Sequence, residues 1–368
     1  MGLFPTASSA SHTVEKRLAD RTLALVDIPS VSRSEERLTQ ALRSMMPEGM
    51  TLLDDEDGCL VYGPPEPRRP VVFAGHTDTV PPQGNLPGKA TEGAVYGLGA
   101  CDMKGGLAVM VELACAASAG HIPIETAFVF FPREELPFTE SPIPGVLERN
   151  PWIAGAALVI VLEPTSNTVH AGCLGNLNAD AVYMGASAHS ARPWLGDNAA
   201  HKAIASLAAI VGFSPRPVLV EGLEFIEVVN VTGLSGGLAR NVIPAEVRCH
   251  INFRYAPGRA PQDAEEELAS LLGPAAGLEI VGNAPPGAVV RNNPLVDALA
   301  QESRRPVAPK QAWTNVAEFT AAGIDAVNFG PGDPQVAHRA DERVEARSLV
   351  RCYERLTAAL IRHAKIEG

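Results

Sequence analysis

Two histidines and five carboxylates stand at the ends of apolar runs in this chain, and those residue types together are the raw material of a metal centre. His76 and Asp78 follow VVFAG, Glu134 and Glu135 follow FVFF, Glu163 follows LVIVL, and His338 follows AVNFGPGDPQVA. Asp102 lies in GLGACDMKGG, in the loop before a helical stretch. In open α/β sheets, ligands collect beyond the carboxyl ends of the strands, so one sheet edge would gather all seven. Carboxylates so gathered repel one another unless cations sit among them. Imidazole and carboxylate ligands without cysteine suit Zn²⁺ and tolerate Co²⁺ or Mn²⁺. Two histidines and three carboxylates are enough for two ions if one carboxylate bridges, and ions roughly 3.5–4 Å apart polarise a carbonyl and bring a shared water to a pKa of about 7. A further carboxylate, free of metal, must then take the proton from that water. Asp78, two residues from His76, could accept the other imidazole N–H and fix its tautomer. The chemistry implied is metal-assisted hydrolysis of an amide.

The stretch FVFFPREELPF, residues 128 to 138, poses a geometric problem within this set. Neighbours on a strand point to opposite faces, and a charge run after a buried strand is more often a solvated loop than a site. Pro132 ends the regular strand, however, and the two glutamates need not do the same job.

The elements that must position these residues alternate between strand and helix in the first half. PVVFAGHTDTV enters a polar loop from a strand, MKGGLAVMVELACAASAG reads as a helix closed by Gly120, and IETAFVFFP and AALVIVLEPT are further strands. Continuous apolar strands separated by helices predict a mostly parallel, mixed sheet covered on both faces, an α/β arrangement. From about residue 178 the texture changes to alternating segments, ADAVYMGASAHSA, EFIEVVNVTGLSGG and EVRCHINFRYAP, with two amphipathic stretches, NAAHKAIASLAAIVGF and APQDAEEELASLLG. That combination predicts an α+β domain with an antiparallel sheet, inserted over 178–285 into a main domain made of 1–177 and 286–368. The chain closes on a helix whose stripe is Leu349, Val350, Tyr353, Leu356, Leu360 and Ile361.

Composition narrows the partners. A formal charge of −12 without a basic run argues against general affinity for nucleic acid or an anionic membrane. No apolar run is long enough to span a bilayer, and no basic segment followed by an apolar one marks a secretory signal. MGLFPT fits the myristoylation pattern in form, but Pro5 interrupts it. Six cysteines, at 59, 101, 115, 173, 249 and 352, form no C-x-x-C pair, which predicts reduced thiols and a cytoplasmic protein. Rival motifs fail on context. GLSGG at 233–237 matches a serine-hydrolase elbow, but Pro244 stands where a helix is needed. GLGACD has Asp102 in place of the third glycine of a dinucleotide fingerprint. DDEDG at 54–58 lacks the spaced ligands of a calcium loop and reads as a turn.

GHTDTVP, GLGACDMKGG, REE, LEPT, AHSARP, RNVIP and FGPGDPQVAHRADE, in order from about residue 20 to the C-terminus, resemble the M20 family of di-zinc peptidases and deacylases. Within it CLGN, HSARPWLGDNA, NFRYAP and WTNVAEFTAAGIDAVNFGPGDP are most similar to succinyl-diaminopimelate desuccinylases of the actinobacterial type. The resemblance implies two Zn²⁺ per subunit, one held by His76, Asp102 and Glu163 and the other by Asp102, Glu135 and His338. It also implies that Asp102 bridges, that Asp78 orients His76 and that Glu134 is the general base. The inserted domain would be a lid and the contact of a homodimer. His189 in GASAHSARP would reach the neighbouring subunit's site and steady the oxyanion, with Asn241 in RNVIP contacting substrate across the dimer. A small anionic N-acyl amino acid would be the substrate, its carboxylates meeting Arg254 and Arg192. Thr314 would hydrogen-bond substrate, or else cap a helix. Two residues depart from the pattern: Arg133, beside the glutamate pair, and Asn315, where an aspartate is usual. Another M20 deacylase, such as an acetylornithine deacetylase or aminoacylase, is the alternative. A non-catalytic metal-binding homologue would be expected to lack Glu134.

Overall fold

The computed structural model describes residues 7–367, so MGLFPT lies outside the described residues. The chain forms two compact units. The first contains the described residues up to Ala171, Val290–Ala308 and those from Thr314 onward; the second contains Gly172–Val289 and Pro309–Trp313.

The first unit is built on an eight-stranded sheet in the order Thr51–Asp54, Leu60–Gly63, Thr126–Phe131, Val71–His76, Leu158–Val161, Ala326–Asn328, His170–Cys173 and Ala308–Lys310. Its four middle strands, from Thr126–Phe131 to Ala326–Asn328, run parallel. The strands that flank them, Leu60–Gly63 and His170–Cys173, pair with them antiparallel. Every residue of the three strands TAFVFF, VVFAGH and LVIV is buried. A sheet covered on both faces requires this, which is why these segments are continuously apolar and do not alternate. Val72, Ala74, Val129 and Phe131 pack with Ile143, Val146 and Phe319 in one layer. On the opposite face a Cβ at Gly75 would collide with Met103, Leu107 and Met110, so the helix Gly105–Ser118 rests directly on the strand backbone there.

The second unit is a five-stranded antiparallel sheet in the order Arg216–Val220, Leu223–Gly236, Glu246–Tyr255, Gly175–Met184 and Gly277–Ala284. Along Gly175–Met184 and Glu246–Tyr255 buried residues alternate with more exposed ones, the signature of a single covered face. Leu177, Ala179, Ile251 and Phe253 meet Ala203, Leu207 and Leu268 of the helices Ala199–Val211 and Pro261–Leu272. The first of these helices is capped by Asn198, whose Oδ1 accepts from the Ala200 N–H at 3.0 Å. Alternation shows only three of the five strands. The other two are edges: Arg216–Val220 contains Pro217, which weakens any strand pattern, and Gly277–Ala284 carries a register shift between Ile280 and Gly282. The strand expected over ADAVYMGASAHSA stops at Met184, the last residue paired with the Glu246–Tyr255 strand, so AHSA lies in a loop. Among the described residues no helix is long and apolar enough to cross a membrane, and all six cysteines are free.

Candidate metal centre

The first unit gathers the seven residues that the strand-end pattern singles out. His76 closes Val71–His76 and is almost wholly buried, at 1% exposure. Its Nε2 lies 3.0 Å from Oδ1 of Asp102 and 3.5 Å from Oε1 of Glu163. His338 directs Nε2 at Oε1 of Glu135, 2.8 Å away, and at Oδ2 of Asp102, 3.5 Å away. The donor atoms therefore form two groups, His76–Asp102–Glu163 and Asp102–Glu135–His338, and the atoms of each lie within 4.8 Å of one another. Asp102 belongs to both. Each group offers one imidazole nitrogen and two carboxylate oxygens, a set that fits a divalent ion such as Zn²⁺, Co²⁺ or Mn²⁺. A cluster this acidic has need of cations, and the side chains register it. Burial opposes charge on His76, but hydrogen bonds to Asp102, Asp78 and Glu163 overcome it and raise its pKa well above that of a free imidazole. Hydrogen bonds to Asp102 and Glu135 raise the His338 pKa to about 11.

Asp78 supports both histidine and glutamates. Nδ1 of His76 is 3.0 Å from the Asp78 carbonyl oxygen and 3.5 Å from its carboxylate Oδ1. Oδ1 accepts the Glu134 N–H at 2.9 Å, while Oδ2 accepts the Glu135 N–H at 3.1 Å and the Ser32 hydroxyl at 2.7 Å. The carboxylate expected to serve the imidazole lies beside it and also clamps the backbone of both glutamates. Burial works against its charge, yet contact with His76 and these donors holds its pKa below the usual value.

Arg133 takes a left-handed backbone, φ 67°, immediately after Pro132. This breaks the strand's alternation, so the glutamates that follow are not bound to opposite faces. Its guanidinium pairs with Asp57, outside the cluster. Glu135 faces His338, whereas the Glu134 carboxylate has no hydrogen bond or ion pair among the described residues. Burial, and then the charges of Glu163, Glu135 and Asp102, push the Glu134 pKa well above a normal carboxyl, with His76 opposing. A carboxylate raised in this way is a stronger base than one in water.

One residue without an assigned role in the sequence proves central to this geometry. Glu342, 2% exposed, accepts the N–H groups of Gly99, Cys101 and Asp102 at 3.0, 2.9 and 3.0 Å, fixing the turn that presents Asp102. Burial raises its pKa to about 7. Its position in HRADE placed it near His338, but nothing in its spacing signals burial.

The remaining candidates lie elsewhere. His189, Arg192 and Asn241 sit together in the second unit: the Arg192 N–H donates to the His189 carbonyl at 2.8 Å, and the Ser190 N–H to that of Asn241 at 3.0 Å. His189 is exposed, and its Nδ1 accepts the Ala191 N–H at 3.1 Å. Arg254, on Glu246–Tyr255, donates through Nε to Oδ1 of Asn252 at 3.0 Å. Thr314 is buried in the first unit, just ahead of the helix Val316–Ala321, and Asn315 donates to Oε2 of Glu318 at 2.7 Å. Ser235 lies in the exposed end of Leu223–Gly236 with no helix after it, so the elbow reading fails. In DDEDG, Asp54 is the buried last residue of the strand Thr51–Asp54 and pairs with Arg149, while Asp55 and Asp57, in the exposed turn that follows, pair with Arg43 and Arg133.

Residues 72–362 match the family described as Peptidase family M20/M25/M40, and the chain belongs to it. It is a metal-dependent amide hydrolase with a mixed-sheet α/β unit and a separate antiparallel α+β unit. The succinyl-diaminopimelate desuccinylase of Corynebacterium glutamicum is 35% identical over 336 residues, covering 88% of this chain and 90% of that one. The acetylornithine deacetylase of Myxococcus xanthus is 29% identical over 371 residues, covering 94% of each. Among solved structures, the aminopeptidase PepT from Bacillus cereus matches with a TM-score of 0.75 at 19% identity, covering 95% of this chain and 99% of that chain.

Proposed function

We propose that the protein is a cytoplasmic two-metal hydrolase that removes succinate from N-succinyl-LL-2,6-diaminopimelate, a step toward lysine and cell-wall precursors. The observation that carries the two-metal reading is Asp102, whose two oxygens face different imidazoles, Oδ1 toward His76 and Oδ2 toward His338. His76, Asp102 and Glu163 would hold one ion and Asp102, Glu135 and His338 the other. Bound ions would polarise the scissile carbonyl and acidify water. Glu134, raised in pKa and without a hydrogen bond or ion pair among the described residues, takes the proton from the attacking water and returns it to the leaving amine. Asp78 holds the backbone of both glutamates and the imidazole of His76, so base and ligands keep one geometry.

The succinyl substrate is supported by the Corynebacterium relative at 35% identity. Arg254 and Arg192 would receive its carboxylates bidentately, and Thr314 would hydrogen-bond it. The second unit serves as lid and dimer contact in this reading, so that His189 of the partner subunit stabilises the oxyanion and Asn241 of the partner subunit contacts substrate. The Myxococcus relative favours acetylornithine as the second candidate substrate. Assay of the purified protein on succinyl-diaminopimelate, acetylornithine and simple N-acyl amino acids, with metal content measured, tests the assignment. Turnover of the succinyl compound is expected; turnover of acetylornithine alone would replace the substrate while leaving the two-metal chemistry intact.

A further inference from the structure

The first unit has a polar cavity of about 230 Å³, lined by Arg305, Arg343 and Arg351 together with Ser166 and Ser348. None of the metal-centre residues lines it, although Gly332, Asp333 and Val336, in the segment leading to His338, form part of its wall. The chain carries more acidic than basic residues, 42 against 30, so three arginines around one small cavity need explaining.

Their partners neutralise them only in part. Arg305 donates to the Thr168 hydroxyl at 3.3 Å and has no ion pair with a carboxylate among the described residues. Among the described residues Arg351 pairs with Glu345 alone, at 4.0 Å, and Arg343 has the Asp341 carboxylate at 3.5 Å, its carbonyl at 3.3 Å and the face of Tyr96. Two carboxylates share the lining: Asp333, whose Oδ1 accepts the Gln335 N–H at 3.0 Å, and Glu345, whose side chain is 70% exposed, so the arginines leave a formal excess of one positive charge. Behind the wall Arg355 donates to the Asn167 carbonyl at 3.0 Å. Its pKa is lowered by burial and then by the charges of Arg351, Arg305 and Arg304. Ser348 completes the lining: its Oγ accepts from Asn167 Nδ2 at 2.8 Å and from the Gly332 N–H at 3.0 Å, which leaves its own hydrogen to be donated.

We propose that this cavity binds a small phosphate-type dianion, free or as the phosphate group of a small metabolite, at a site separate from the metal centre. Guanidinium forks match phosphate oxygens bidentately, in charge-assisted hydrogen bonds stronger than neutral ones. The volume is below the roughly 300–1,000 Å³ of pockets for drug-sized ligands, which limits the ligand to a small one. The acidic chain and the concave shape exclude nucleic acid as the occupant.

Titration calorimetry of the full, metal-loaded protein in phosphate-free buffer tests this, with inorganic phosphate and glycerol 3-phosphate as probes. Binding is expected in the wild type and in a His338→Ala variant, and at least a tenfold weakening in the double variant Arg305→Gln/Arg351→Gln. A thermal melt without phosphate checks that the double variant is folded, and Arg305→Lys/Arg351→Lys, which keeps the charge, should retain part of the affinity. Tighter binding of the ester would identify a metabolite as the ligand; equal binding would identify free phosphate. Phosphate that binds the double variant as it binds the wild type, or that is lost in His338→Ala alone, is held at the metal centre and overturns the proposal. So does the absence of any binding to wild type up to about 10 mM.

Discussion

At the scale of single residues, the glutamate pair shows how one local irregularity separates two roles. Pro132 and the left-handed Arg133 end the alternation of the strand, and the Asp78 carboxylate then receives both following N–H groups. Glu135 is left paired with an imidazole, while Glu134 has no hydrogen bond or ion pair among the described residues. Arg133, the cation next to the proposed base, is paired with Asp57. Replacing Glu134 by Gln should therefore lower turnover by about 10²–10⁴-fold, the contribution of a general base, with metal content unchanged by elemental analysis. Loss of metal in that variant would mean that the two glutamates have been assigned the wrong way round. Near wild-type turnover would remove Glu134 from the chemistry altogether.

Among the elements, the site depends on how closely helix and strand ends approach. A Cβ on Gly106, in the helix Gly105–Ser118, would lie 2.5 Å from the Leu162 carbonyl oxygen, and one on Gly330 would lie 2.3 and 2.4 Å from the carbonyls of Leu162 and Glu163. Both glycines press on the backbone that carries Glu163. Gly106→Ala should cost about 1–3 kcal/mol, as overpacking does, and should weaken metal binding as Glu163 shifts. Chemical denaturation with a metal titration reads both, and unchanged metal affinity would show that the strand end does not move.

The helix Val316–Ala321 allows a second test. Burial raises the pKa of Glu318, against the hydrogen bonds from Asn315 and Ser141. A carboxyl whose folded pKa lies above its unfolded one stabilises the fold below the unfolded pKa and loses that contribution as pH rises through the folded value. Glu318→Gln, which keeps an acceptor without the charge, should melt higher than wild type at about pH 7 and show no gain at about pH 4. An equal effect at both pH values would exclude the titration.

These elements also show what the sequence could reveal. Runs such as VVFAGH and LVIV are readable because strands buried on both faces must be apolar throughout, and the residue after such a run stands at the sheet edge by construction. The supporting contacts are not readable. Ser32 donates to Asp78 across 46 positions, and Glu342 reaches Gly99, Cys101 and Asp102 across more than 200. Neither has a periodicity that would mark it, because each is fixed by tertiary packing alone. The edge strands escaped notice for a related reason: a proline and a bulge erase the alternation that identifies a half-covered strand.

At the scale of the whole molecule, the second unit exposes more apolar surface than a solitary domain needs. On the helix Ala199–Val211, Ile204 and Val211 are 70% and 82% exposed and stand seven residues apart, on one side of the helix. Leu219, Leu234 and Leu238 of the same unit are also exposed. Exposed apolar patches mark contact surfaces, and a homodimer through this unit would cover the helix pair Ile204 and Val211. Two negative charges at the helix positions should prevent it, since burying unpaired carboxylates is prohibitive. The Ile204→Asp/Val211→Asp variant is accordingly expected to sediment as a monomer where the wild type sediments as a dimer. It should keep its metal, because no residue of either metal group lies in that unit. It should also lose turnover by about 10²-fold or more, the effect of removing an oxyanion donor, because His189 of the partner subunit would no longer reach the site. A monomeric variant with full activity would keep the hydrolase and remove His189 from its mechanism; a variant that remains dimeric would place the contact on another face.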